Sequence, residues 1–226
     1  MELLEFARGP ALAASAAVCA LGIAWRLYAI FRRPVRSDLS EPRHAEVGAA
    51  GWRAILVKML PPKDVKVRGA SMTNAYVWHI GLAVVVFGFA PHIGFIERHL
   101  GIRWPALPDP VMYFAAAVTI VGLLAALVER LTDRVLRALS GFDDYASWIV
   151  TLLPLATGMA LIERPYHPQP PVAPALPTDP TLLAVHLLSF ELLLVWLPFG
   201  KLAHAVLVFV SRWRTGVEFA RKGAAL

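Results

Sequence analysis

Long apolar runs constrain this chain more than anything else in it. A helix rises about 1.5 Å per residue, so crossing a hydrocarbon core of about 30 Å takes roughly 20 apolar residues. Five such windows recur, at residues 10–31, 76–96, 111–128, 146–162 and 181–210. They predict an all-α integral membrane bundle of five transmembrane helices, organised as a single membrane domain over residues 1–226. Composition excludes the alternatives. At 58% hydrophobic and 17% charged, the chain has too little charge to cover a water-soluble surface and too much apolar surface to stay disordered. The first window outlasts a signal-peptide core, and its leader carries Glu2 and Glu5 beside Arg8, so it is read as a retained span. Successive spans do not repeat one another, and the inverted-repeat signature of many transporters is missing.

Lys and Arg collect in cytoplasmic loops, and their distribution orients the bundle. Between spans one and two stand Arg32, Arg33, Arg36, Arg43, Arg53, Lys58, Lys63, Lys66 and Arg68. Arg130, Arg134 and Arg137 lie between spans three and four, and Arg212, Arg214, Arg221 and Lys222 follow span five. The other side holds only Arg8, Arg98, Arg103 and Arg164, while Arg26 and Lys201 lie near the inner ends of spans one and five. The N-terminus is therefore expected outside and the C-terminus in the cytoplasm of a cell inner (plasma) membrane. Basic loops of this kind are what topology requires, so the high pI is not read as nucleic-acid binding.

The cytoplasmic stretch over residues 32–75 contains Trp52, Ile55, Leu56, Met59 and Leu60 at helical spacing before Pro61 and Pro62. This pattern predicts a short interfacial helix, read as a lipid anchor or as a docking surface for a soluble subunit, both of which need the same amphipathic pattern. The outer connections, residues 99–110 and 166–180, are rich in proline, the second with extended polyproline character. Asp143 and Asp144, just before span four, read as its helix cap.

Cys19 is the single cysteine, which rules out a disulfide framework, a cysteine-ligated cluster and a covalent haem motif within this chain. Of seven histidines, His44, His99 and His167 fall in loops or beyond span ends. His79 and His92 lie in span two, and His186 and His204 in span five, where an ionisable side chain is costly and marks a functional candidate. The two spans run in opposite senses, so His79 and His204 share a cytoplasmic level and His92 and His186 an outer one. On an unbroken helix the 18 residues between His186 and His204 bring both to one face. Facing imidazoles are good axial ligands for a b-type haem, and Gly81, Ala83 and Gly88 would let a flat porphyrin approach the backbone. The competing reading gives the same histidines to proton paths or packing in a small transporter or a haem-free membrane anchor. On an ideal helix His79 and His92 do not share a face, and Pro91 and Pro198 are the positions where a bend is permitted.

These residues resemble the gamma subunit of respiratory nitrate reductases and related membrane cytochrome b subunits of heterodisulfide-reductase-like and dissimilatory sulfite-reductase-associated complexes. The resemblance rests on H-I-G-L-A-V-V-V-F-G at His79–Gly88, F-D-D-Y at Phe142–Tyr145, T-G-M-A-L at Thr157–Leu161, P-F-G-K-L at Pro198–Leu202, and the histidine pair His186 and His204. It implies one or two bis-histidine haems b exchanging electrons between the membrane quinone pool and a cytoplasmic iron–sulfur subunit, within a hetero-oligomeric complex. The metal ligands would be His79, His204, His92 and His186. Where the family carries a second histidine on span two this chain has Phe89, and His92 takes its place about 4.5 Å further along. Beside the haems, Arg98 and His99 are candidate anchors for a propionate or a quinone head group. Glu191, in the apolar fifth span, is a candidate proton or hydrogen-bond acceptor for a cofactor.

Overall fold

The computed structural model describes residues 2–33, 40–44, 46–59, 65–161 and 179–224, with only the backbone of residues 65–68. All regular structure in them is helical. The proline-rich stretch over residues 166–178, with His167, and the run from Leu60 through Lys63 lie outside the described residues.

The helices are α1 (Leu3–Phe31), α2 (Val47–Lys58), α3 (Val65–Gly88), α4 (Ala90–Leu100) and α5 (Asp109–Thr132), then α6 (Arg134–Leu139), α7 (Phe142–Ala160), α8 (Pro180–Trp196) and α9 (His204–Lys222). Among the described residues three stretches are long and apolar enough to cross a membrane: α1, residues Gly69–Gly88 of α3, and α5. The interrupted pair α8 and α9 would make a fourth if it is one broken span. The chain is thus a helical protein with several helices fit for a bilayer. α7 is helical over 19 residues but opens on Asp143 and Asp144, which leaves it short of apolar length.

Two of the expected spans are broken. Span two was expected to be continuous through residue 96, but Phe89 is extended (φ −80°, ψ 128°) and Pro91, which has no amide proton, sits in the first turn of a new helix. Span five stops at Trp196 and resumes after a turn at Pro198, so His186 and His204 lie on different helices and their shared-face relation on an unbroken helix does not hold. At the other end of α3, Gly69 adopts φ +59°, a conformation open to glycine, and sets Val65–Arg68 off from the rest.

The structure divides into two compact units, residues 1–15 with 68–193 and residues 16–67 with 194–226. In the first, α5 is the central helix, with Met112, Ala115, Ala116, Thr119, Gly122 and Leu123 buried along one stripe. Gly81 of α3 packs against fully buried Thr119, and Asn74 Nδ2 donates to the Gly122 carbonyl at 2.8 Å. On the other flank Trp148 Nε1 of α7 donates to the Leu123 carbonyl at 2.8 Å. Small residues let the backbones approach, and polar bonds add about 0.6 kcal/mol each where no hydrophobic effect acts between helices. Gly81 and Gly88 are therefore spent on packing, Gly88 against Leu107 and Met112, and do not lie open to a porphyrin, while Ala83 is exposed. Asp144 closes the α5–α7 turn, accepting from Gly141 N–H at 3.0 Å and from Arg130 at 2.9 Å, and so acts as the cap read from the sequence.

In the second unit α2 lies against α9. The turn after α8 is fastened to α1, where Gly22 receives buried Pro198 and Arg26 donates to the Pro198 carbonyl at 2.8 Å. A helix end leaves carbonyls without partners, and the arginine satisfies one of them.

Candidate functional site

The break after Gly88 builds the site. The last carbonyls of α3 have no partners within the helix, and three groups from outside take them. Trp104 Nε1 donates to Phe87 at 2.5 Å, Leu107 N–H to Gly88 at 2.9 Å, and His92 Nδ1 lies 2.9 Å from the Val85 carbonyl. A carbonyl only accepts, so the proton of His92 is on Nδ1 and Nε2 is the open ligand atom. Phe89 meets the His92 ring edge-on at 5.2 Å.

His186 reaches the same state by another route. Its Nδ1 lies 3.1 Å from Thr157 Oγ1, and that hydroxyl is placed to donate to the Leu153 carbonyl at 2.8 Å. With its one proton engaged there, Thr157 accepts from His186 Nδ1–H, and again Nε2 is left. Ser189 Oγ, 3.0 Å from Thr157 Oγ1, donates to the His186 carbonyl at 2.7 Å. Gly158 gives the ring its room: a Cβ there would stand 3.1 Å from His186 Cε1.

The rings of His92 and His186 have centroids 6.2 Å apart and planes 11° from parallel. Two imidazoles sharing one metal through Nε2, with metal–nitrogen bonds of about 2 Å, have ring centres about 6 Å apart. The donor type and the separation of the ring centres are those that a shared bis-imidazole iron would require. Among the described residues no group of three or more His, Cys, Asp or Glu is placed to hold a bare metal ion, but a haem brings four nitrogens of its own and asks the protein for two.

His79 is exposed on α3, with Nδ1 2.6 Å from the Ala75 carbonyl and its ring stacked on Trp78 at 3.6 Å. His204 opens α9 in the other compact unit, with Nδ1 2.8 Å from the Lys201 carbonyl. Arg98 and His99 are exposed at the end of α4, where His99 Nδ1 lies 2.8 Å from the Phe95 carbonyl. Glu191 is buried on α8, 5% exposed, and its Oε1 has no hydrogen-bond partner among the described residues. Five residues on from His186, it points about 140° around the helix from it.

A cavity of about 600 Å³ opens on the face of α4 away from His92, lined by Ala90, Ile93, Gly94 and Glu97 with the returning segment Arg103–Ala106. Glu97 and Arg103 pair at its edge, 3.4 Å apart. Sequence reasoning missed Thr157, Gly158, Ser189 and the Val85 carbonyl. The first two stand in T-G-M-A-L, a motif noticed for its resemblance and not for any contact.

A curated protein of Nitratidesulfovibrio vulgaris strain Hildenborough is 27% identical to this chain over 206 residues, which cover 89% of this chain and 81% of the relative. No family model matches the chain, and no solved structure matches it.

Proposed function

We propose that this chain is a b-type cytochrome subunit of the kind its sequence resembles, exchanging electrons between the membrane quinone pool and an iron–sulfur partner, in which His92 and His186 would hold a haem. The supporting observation is the pair of near-parallel imidazoles 6.2 Å apart, with His92 held through Nδ1 and His186 beside the Thr157 hydroxyl. A haem held there supplies one-electron exchange. The chain's own groups do the rest. The Val85 carbonyl and the Thr157 hydroxyl fix ring orientation and raise the basicity of the ligand nitrogens. Gly158 and Phe89 border the rings.

In this reading Arg98 and His99 mark the exposed end of α4 where a propionate or quinone head group is anchored. The cavity between α4 and Arg103–Ala106 is within the size range of a small-molecule site, and Glu97 at its edge is a carboxylate able to take a proton from a bound quinol. Glu191 serves as a buried acceptor on the other face of α8. The chain crosses a cell inner membrane five times, N-terminus outside, and works in a hetero-oligomeric complex.

A reduced-minus-oxidised visible spectrum of the purified chain tests the proposal. A b-type signal lost in His92→Ala and in His186→Ala is expected. A purified chain with no such signal would instead be a transporter or a haem-free membrane anchor.

A further inference from the structure

The unit of residues 16–67 and 194–226 carries a surface that electron transfer leaves unused. Its base is a close helix crossing. Gly51 of α2 lies under Trp213 and Val217 of α9, and Gly216 of α9 under Ala50 and Ala54. A Cβ on Gly216 would stand 2.5 Å from Ala54 Cβ, so the backbones are about as near as they can come. The end of the crossing is tied as well. Arg43 N–H donates to the Arg221 carbonyl at 3.0 Å, Arg221 Nη2 donates to the Ser40 carbonyl at 3.1 Å, and Gly223, at φ +68° where only glycine is at ease, ends α9 against Arg43.

With Gly51 and Ala54 turned to α9, α2 turns outward Trp52, Leu56 and Met59, which are 67, 73 and 44% exposed. These positions repeat at four and three residues and make one apolar stripe. Its surroundings are cationic. α2 contains Arg53 and Lys58 and no acid, and α9 contains Arg212, Arg214, Arg221 and Lys222 against Glu218 alone.

α1 shows the depth at which this pair sits. Trp25 and Tyr28 stand exposed near its end with rings 6.0 Å apart, and Arg32 both donates to the Tyr28 hydroxyl and lies over the Tyr28 ring at 5.6 Å. Trp and Tyr with Arg just beyond are the residues of the headgroup level. Arg214 of α9 lies over the ring of Phe31, the last residue of α1, at 5.8 Å. That contact holds α9, and with it α2, at the same level. A soluble partner would find this stripe among headgroups and not in water.

We propose that the Trp52, Leu56 and Met59 face is a lipid-contact surface: α2 lies in the plane of the bilayer, its stripe among the upper acyl chains and the arginines of α2 and α9 on anionic headgroups. The proposal stands apart from any haem. The test uses the full chain in nanodiscs of phosphatidylcholine, with or without phosphatidylglycerol, carrying Cys19→Ala and a nitroxide at Leu56→Cys or at Glu218→Cys, an exposed polar position on α9. Collision rates with oxygen and with a water-soluble nickel chelate report depth. The oxygen-to-nickel ratio should be several-fold higher at position 56 than at 218 and should rise with phosphatidylglycerol. Trp52→Cys repeats the measurement should the Leu56 variant fold poorly. Equal ratios at 52, 56 and 218 in both lipids overturn the proposal. So does shielding of 52 and 56 that appears only in the native complex, which would identify a protein partner. A high ratio indifferent to phosphatidylglycerol overturns the part played by anionic headgroups.

Discussion

His92 is held through Nδ1 by the Val85 carbonyl, and His186 by the Thr157 hydroxyl with the Pro154 backbone beside it. Replacing either with alanine should abolish the same b-type signal, whereas His99→Ala, at an exposed position, should keep it; pyridine haemochrome assays of the three variants decide. Thr157→Val keeps the shape but removes the acceptor of the His186 Nδ1 proton. Loss of such an outer partner costs about 10–100-fold in affinity. Transfer of haem to an excess of apomyoglobin should therefore speed up in Thr157→Val and recover in Thr157→Ser, and an unchanged transfer rate would remove Thr157 from the site. The histidines were legible because an imidazole in an apolar run is conspicuous. Their holders were not: a threonine followed by glycine is ordinary in a membrane helix, and the Val85 carbonyl has no side-chain signature at all.

The elements explain how residue 92 reaches the carbonyl of residue 85. On an unbroken helix the two are separated by about 10 Å of rise and cannot bond. Phe89 leaves the helix, Pro91 starts the next, and the chain doubles back enough for a 2.9 Å contact. The sequence marked Pro91 and Pro198 as places where bending was permitted, but periodicity treats a helix as straight, so it read spans two and five as unbroken. The amphipathic helix near Trp52 was legible, and its partner was not, because Gly51 and Gly216 acquire meaning only when they meet. Gly216→Leu forces a side chain into space already filled by Ala54 and the Ala50 carbonyl. Overpacking of this kind costs about 1–3 kcal/mol. The expected result is a lower thermal midpoint in detergent and faster proteolysis within residues 47–58. The b-type spectrum should survive, since His92 and His186 belong to the other unit. Loss of spectrum and stability together would show that the two units do not fail separately.

At the scale of the molecule, the question is how many times the chain crosses, and the count of apolar helices leaves α7 undecided. Arg214 of α9 sits over Phe31 at the end of α1, and Pro198 lies in the notch at Gly22 with its carbonyl on Arg26. The proposed five crossings require α7 to be one of them. Its 19 residues rise about 28 Å, near the thickness of a hydrocarbon core. Its bonds agree: Asp144 meets Arg130 at the end of α5, and one side-chain bond further along, Trp148 donates to Leu123, as in two antiparallel neighbours. The apolar shortfall of α7 comes from Asp143 and Asp144, which belong to its interfacial first turn. Five crossings would place the two termini on opposite sides, and the proposed orientation, which rests on the excess of Lys and Arg after α1 and in α9, would put the C-terminus inside. A fluorescent protein fused after residue 226 should therefore glow in the cytoplasm, while a protease added outside intact cells or spheroplasts removes an epitope fused before residue 1. If both termini were protected, or both cleaved, the number of crossings would be even and α7 would not span.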